Sequence, residues 1–299
     1  RFLHALNYCM VLPGPEAQQL ATYIGWLMHR TWGGIVAGGL FVLPSLLILI
    51  ALCWIYLVYG QVPAIAGMLY GIKPAVTAIV VFAAFRIGSR ALKNGLLWAI
   101  AAAAFIALFA LNLPFPLIII GAGIIGAIGG RLRPALFATG GGHGTGDAAH
   151  IPAIIDDNTP TPAHALFRWS RFITVLAAGL LLWLVTMTLT ILVYGWDSTL
   201  AHMGWFFTKA ALLTFGGAYA VLPYVYQAAV EQFQWATALQ MIDGLALGET
   251  TPGPLIMIVA FVGFVGGWTT QFLGPEQLLV GAVLAASVAT WFTFLPSFV

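Results

Sequence analysis

Charged residues are so sparse along this chain that the hydrophobic pattern sets its architecture. No Asp, Glu, Lys or Arg occurs from Thr31 to Ile72, Asn94 to Gly130, Phe172 to Trp196, Ala210 to Val230, Thr250 to Pro275 or Gln277 to Val299. A helix needs about 20 apolar residues to cross a bilayer, so each stretch holds one crossing and the first two have room for two. The pattern predicts spans at Gly33 to Tyr59, Leu96 to Leu111, Phe115 to Gly130, Arg171 to Tyr194 and Leu278 to Val299. Pro63 to Ala91 holds one or two helices interrupted at Gly71-Ile72-Lys73-Pro74, and Asn112-Leu113-Pro114 marks a turn between two short spans. The alternating ten-residue segments of a β-barrel are not visible.

Phe2 to Leu27 and Thr237 to Gly267 read differently, because each carries Pro-Gly-Pro in its middle: Pro13-Gly14-Pro15 and Pro252-Gly253-Pro254. Proline removes a backbone donor and clashes with the preceding turn, and glycine costs about 1 kcal/mol against alanine. Three such residues in a row break a helix, and in hydrocarbon an opened backbone survives only inside protein or beside a watery cavity. Both segments are therefore expected to be broken helical hairpins. The match extends further, to Tyr23-Ile24-Gly25-Trp26 and Gly33-Gly34 against Phe261-Val262-Gly263 and Gly266-Gly267-Trp268, and to Leu43-Pro44-Ser45 against Leu295-Pro296-Ser297. Paired breaks in two halves of a chain point to the binding site of a secondary transporter.

The expected fold is an all-α polytopic membrane protein of two pseudo-symmetric repeats with broken helical hairpins. The first repeat is 1–130 and the second 168–299. Between them, 131–167 carries Asp, His and the run Gly140-Gly141-Gly142-His143-Gly144-Thr145-Gly146, and reads as a solvated linker. A third break, Phe215-Gly216-Gly217 in Phe206 to Gln232, precedes the second hairpin, and its counterpart is expected upstream of Arg1. The chain opens without Met, shows no cleavable signal peptide, and reads as a piece of a longer protein truncated at both ends. Basic residues place Arg86, Arg90, Lys93, Arg131, Arg133 and the linker with Arg168 and Arg171 on the cytoplasmic side, and Asp197 outside. The pattern leaves the handedness of the repeat open.

Composition agrees: 61% of residues are hydrophobic and 7% charged, against roughly 25% charged in a soluble protein. A net charge of +2 gives no argument for nucleic acid. Cys9 and Cys53 sit among apolar residues and read as small packing groups. Walker A, H-E-x-x-H and G-x-S-x-G signatures are all missing, so no enzyme and no cofactor is expected. His143, Asp147 and His150 fall in the linker and read as solvated polar residues rather than a metal site.

The candidate chemistry lies at the breaks. Amides freed at the start of a half-helix, with a dipole worth about half a positive charge, make an anion site without a formal charge. Pro15 and Pro254 suit a first helical turn, so the amides of Glu16 to Gln18 and Leu255 to Met257 are expected to face the gaps, with those after Phe215-Gly216-Gly217. Ionisable groups at depth cost about 2.5–3.5 kcal/mol each on insertion scales and are functional by default. Four qualify: Glu16, Lys73, Lys209 and Glu249. The lysines would attract an anion, and a carboxylate beside an anion is a candidate proton carrier. The alternative is that the lysines snorkel and the glutamates cap helices. Gln18, Gln19, Asn7, Thr214, Thr250 and Thr251 are candidate donors, each also suited to interhelical bonding.

F-F-T-K-A-A-L-L-T-F-G-G-A-Y-A-V-L-P-Y-V from Phe206 to Val225, M-I-D-G-L-A-L-G-E-T-T-P-G-P-L-I-M from Met241 to Met257, L-P-G-P-E-A-Q-Q-L-A-T-Y-I-G-W from Leu12 to Trp26 and G-I-K-P-A-V from Gly71 to Val76 together resemble the chromate ion transporter family, in its fused two-domain form. The resemblance implies export of chromate across the bacterial inner membrane, driven by the proton motive force, with sulfate as a competing oxyanion. The partners it brings are chromate or sulfate, protons and the lipid bilayer; a homodimer is left open. Two other readings remain beside it: a transporter for sulfate or another oxyanion, and a non-transporting scaffold or sensor signalling through 131–167.

Overall fold

The computed structural model describes residues 2–137, 162–214 and 218–299, and they are helical, with no strand among them. Five helices among the described residues are long and apolar enough to cross a membrane. The chain is an all-α polytopic membrane protein. It divides into two compact units, Arg1–Lys73 with Asp157–Val299, and Pro74–Asp156.

The larger unit contains both Pro-Gly-Pro breaks. Helix α1 is Phe2–Val11 and α2 is Glu16–Tyr59, but α2 is two helices in one. His29 (φ −131°, ψ 26°) and Arg30 (φ 56°, ψ −152°) leave the helical region, and the chain doubles back there. The two arms touch through glycine. A Cβ on Gly25 would lie 2.3 Å from the Gly33 carbonyl oxygen, and one on Gly34 would lie 3.2 Å from that of Thr22. Small residues let backbones approach this closely in a membrane, where apolar burial drives little helix association.

α3 is Pro63–Ala91, and only its first part, to Lys73, belongs to this unit. The expected interruption at Gly71-Ile72-Lys73-Pro74 is absent: α3 runs through as one helix with Pro74 inside it. One proline deletes a single donor, which a helix tolerates without opening. In the smaller unit, α4 (Gly95–Phe109) and α5 (Phe115–Leu132) are joined by a short turn with Asn112 at φ 49°, as the sequence predicts, and α6 (Pro134–Phe137) follows. Asn94 accepts from the Leu97 N–H to cap α4 and donates to the Leu136 carbonyl at 2.6 Å.

α7 (Trp169–Tyr194), α8 (Thr199–Leu212), α9 (Ala218–Tyr226), α10 (Ala238–Thr250), α11 (Ile258–Thr270) and α12 (Leu278–Phe294) complete the larger unit. α10 and α11 are antiparallel, since Gly248 lies against Ile258 and Gly244 against Phe261, with Pro252-Gly253-Pro254 at the tip between them. α11 then reverses near Gln271 (φ 50°) onto α12, where a Cβ on Gly263 would lie 2.7 Å from the Ala285 carbonyl oxygen. A large part of the core sits here, including Phe261, Phe264, Phe292, Val262 and Val265.

Contacts between the hairpins fix the handedness. The second hairpin, α11 with α12, runs from its break to the turn near Gln271, and the first, the two arms of α2, runs from its break to the turn at His29–Arg30. Its second arm returns to the level of the breaks at Ser45, beside Gly253, and continues along α11 until Tyr56 meets Phe261, ring centroids 5.7 Å apart. α12 does the reverse: it ends at the level of the breaks, and Phe298 beyond it reaches Gly38 in the first hairpin. The hairpins therefore extend from the breaks in opposite directions, and the repeats are inverted. Trp26 and His164 meet at the turn of the first hairpin, near Arg30, and Arg171 donates to the His164 carbonyl. Glu276 lies just past the turn of the second.

Candidate functional site

At both breaks a new helix begins without help from its cap. Pro15 precedes α2, and Pro254 precedes a 3₁₀ turn (Leu255–Met257) that runs into α11. Neither residue has a side-chain oxygen to offer, and no side-chain cap bond forms at either start. The glycine before each proline has positive φ, +121° at Gly14 and +145° at Gly253, a region other residues enter only with strain.

The breaks are crossed between repeats. A Cβ on Gly14 would lie 2.9 Å from the Ser297 hydroxyl, in the Leu-Pro-Ser of the second repeat. A Cβ on Gly253 would lie 2.6 Å from the Ser45 hydroxyl, in the Leu-Pro-Ser of the first. Each helix start thus faces a serine of the other half. Around the first break the Gly14 N–H donates to the Thr214 carbonyl at 2.8 Å, and Gln19 Nε2 donates to the Pro13 carbonyl at 2.7 Å. Gln18, fully buried, donates to the Gly38 carbonyl at 3.0 Å and so ties the two arms of α2.

Of the carboxylates, Glu16 stands half-buried in the first turn of α2, with Oε2 enclosed and without a hydrogen-bond partner among the described residues. Glu249 is half-buried near the end of α10 and accepts from the Tyr219 hydroxyl at 2.7 Å. The threonines depart from expectation. Thr214 donates to the Ala210 carbonyl, Thr250 to that of Ala246 and Thr251 to that of Leu247, so their protons are committed to their own helices. Lys209 departs too: it is exposed, with its ammonium 5.8 Å from the centre of the Trp205 ring, while Phe206, Phe207 and Ala210 form the buried face of α8. Phe215, Gly216 and Gly217 lie outside the described residues, as do His143, Asp147, His150 and the side chain of Asn7. Cys9 and Cys53 are buried free thiols.

Lys73 has a partner that its sequence neighbourhood does not reveal. Its ammonium is 2.8 Å from Asp243 Oδ1, and the Tyr56 hydroxyl donates to Oδ2 at 2.9 Å. Asp243 is 5% exposed, deep in α10. The signal was available, since an acid in an apolar helix is costly unless paired. What the sequence could not supply was the fold that brings α3, α2 and α10 together.

Comparison with known proteins completes the picture. The family model described as "Chromate transporter" matches residues 1–127 and 201–299. A chromate transport protein of Pseudomonas aeruginosa is 32% identical over 96% of this chain and 61% of its own length. A chromate transport protein of Cupriavidus metallidurans is 28% identical over 99% of the chain and 62% of its own length. An uncharacterized transporter of Methanocaldococcus jannaschii is 24% identical over the whole chain and 64% of its own length. The chain thus spans about three-fifths of the length of the curated relatives it matches. No solved structure matches it at a significant level. With its hairpins, breaks and Leu-Pro-Ser segments all inside the matched regions, this chain belongs to the chromate transporter family.

Proposed function

We propose that the protein of which this chain is part is a secondary transporter exporting chromate, or a similar tetrahedral oxyanion, across the bacterial inner membrane at the expense of the proton motive force. The observation that carries the reading is the pair of uncapped helix starts, each facing a serine of the other half of an inverted repeat, in a chain whose named relatives are chromate transport proteins. Freed amides and helix dipoles suit a dianion that arrives without a counter-ion. Residues 1–130 and 168–299 are the two repeats and 131–167 the linker between them. The turn of the first hairpin, with Arg30 and Arg171 near it, faces the cytoplasm in this reading, and the Glu276 turn faces out.

Glu16 and Glu249 are the proposed proton carriers. A dianion at the start of α2 sits against the Glu16 carboxyl, and like charge favours the neutral acid, which links substrate entry to a proton. Lys73, expected to attract an anion, is instead neutralised by Asp243 at 2.8 Å, so the positive potential in this reading comes from the freed amides and helix dipoles. Replacing Glu249 with Gln in the full-length protein should abolish chromate movement driven by a pH gradient in proteoliposomes, while exchange of labelled for unlabelled chromate at equal pH persists. Undiminished gradient-driven transport removes Glu249 from the mechanism. Amides and hydroxyls treat chromate and sulfate alike, so sulfate as the physiological substrate is the second reading. Competition between the two ions in the same vesicles decides it.

A further inference from the structure

Seven Ser or Thr side chains are buried among the described residues, and they fall into two groups. Thr208, Thr214, Thr251, Thr290 and Thr293 each donate to the carbonyl four residues back, at 2.7–2.8 Å. That is the ordinary solution for a hydroxyl in an apolar helix. Ser45 and Ser297 do not adopt it. They are 1% and 7% exposed, and neither hydroxyl has a hydrogen-bond partner among the described residues. These two are also the pair that faces the breaks, Ser45 against Gly253 and Ser297 against Gly14. Each occupies the last place of a Leu-Pro-Ser segment, so the inverted repeat generates the arrangement twice.

A buried hydroxyl without a partner costs about 1–3 kcal/mol. Carrying that cost at two symmetric places, beside two helix starts that also lack caps, is the mark of donors waiting for an acceptor the chain does not supply. We infer that Ser45 and Ser297 are the hydroxyl ligands of the transported oxyanion, each completing a half-site whose amides come from the helix start of the opposite repeat. The inference rests on the oxyanion reading of the breaks and adds to it the side chains that touch substrate.

Glycine at the tip is then a steric requirement as well as a conformational one, because a Cβ at Gly14 or Gly253 would occupy the space the hydroxyl points into. In this structure each glycine packs over its serine. Lifting the tip exposes serine and first-turn amides together, and an oxyanion bound there satisfies both. The ion therefore stabilises the lifted form relative to the packed one by the bonds it makes in one state alone. Because each half-site draws on both repeats, binding at either holds the hairpins in register.

The test uses the full-length protein in detergent or nanodiscs, with Ser45→Ala and Ser297→Ala. Equilibrium binding of labelled chromate, and of sulfate, should weaken about tenfold in each variant, as for loss of one bond to a charged ligand. Melting without oxyanion should be unchanged or raised, since alanine removes an unbonded hydroxyl; a purely structural serine would lower it. If wild-type protein binds and both variants bind within twofold of it, this inference fails and the oxyanion reading stands. If wild-type protein binds neither ion, the oxyanion reading itself fails.

Discussion

The two Pro-Gly-Pro breaks share a sequence, a positive-φ glycine and a facing serine, yet they are covered differently. At the first, Gly14 and Pro15 are buried, and the Thr214 carbonyl at the end of α8 holds the Gly14 N–H. At the second, Pro252 and Gly253 are exposed, although Ser45 beneath them is sealed. Local sequence makes the break, and the opposite repeat makes its cover. A hydrogen-bonded tip under a roof is held rigidly; an exposed tip with few contacts belongs to the low-stability end of a structure, where moving parts are found. The second break thus lifts at lower cost, and the first, more firmly built, lifts at higher cost.

That difference is open to direct attack, and the largest effect should come from Gly14→Ala. Alanine there must hold φ +121° and place its Cβ 2.9 Å from both Gln19 Nε2 and Ser297 Oγ, inside a buried tip. Gly253→Ala meets φ +145° and Ser45 Oγ at 2.6 Å, but its exposed tip can move away. We expect a loss of about 2–3 kcal/mol for the first and about 1 kcal/mol for the second, read as melting in detergent. Equal losses, or the reverse order, would abolish the distinction between a rigid and a mobile break.

A smaller effect is expected from Asp243→Asn, which probes an asymmetry on the second side. Asp243 stands nine residues before Pro252 as His4 stands before Pro13, but His4 is exposed. Removing the carboxylate leaves Lys73 without it. Because the Lys73 side chain is 37% exposed, the cost should fall to about 1–2 kcal/mol, below that of breaking a fully buried pair. The double replacement Lys73→Met with Asp243→Leu should recover most of it. A double variant no more stable than Asp243→Asn would show that the pair does more than neutralise itself.

Much of this arrangement was legible in the chain because proline and glycine announce themselves locally. The two breaks, the short pair α4 and α5, the helix α7 and the separation between Leu27 and Gly33 all follow from such signals. Pro74 misled, since the same residue that breaks a helix in a Pro-Gly-Pro run is absorbed when it stands alone. The crossing of Ser45 with Gly253 and of Ser297 with Gly14 left no local trace: the partners are 208 and 283 residues apart, paired by how two hairpins pack. Leu43-Pro44-Ser45 and Leu295-Pro296-Ser297 marked the repeat, but nothing nearby said what the serines face. The threonines failed as candidates for a related reason, because a hydroxyl in a helix has a carbonyl four residues back to bond and takes it by default.

Lys209 gives the smallest expected effect and the sharpest check on where positive charge matters. Its place was readable from helical spacing. Trp205, Lys209 and Leu212 recur at intervals of four and three on one stripe of α8, and all three are exposed, whereas Met203, Phe206, Phe207 and Ala210 are buried. A cation on the outer stripe over a tryptophan ring contributes roughly 0.5–1 kcal/mol, and it does so without reaching the breaks. Lys209→Ala should therefore lower melting only slightly and leave chromate binding within twofold of wild type. A tenfold loss of affinity would mean that α8 turns its outer stripe toward the substrate in the working protein.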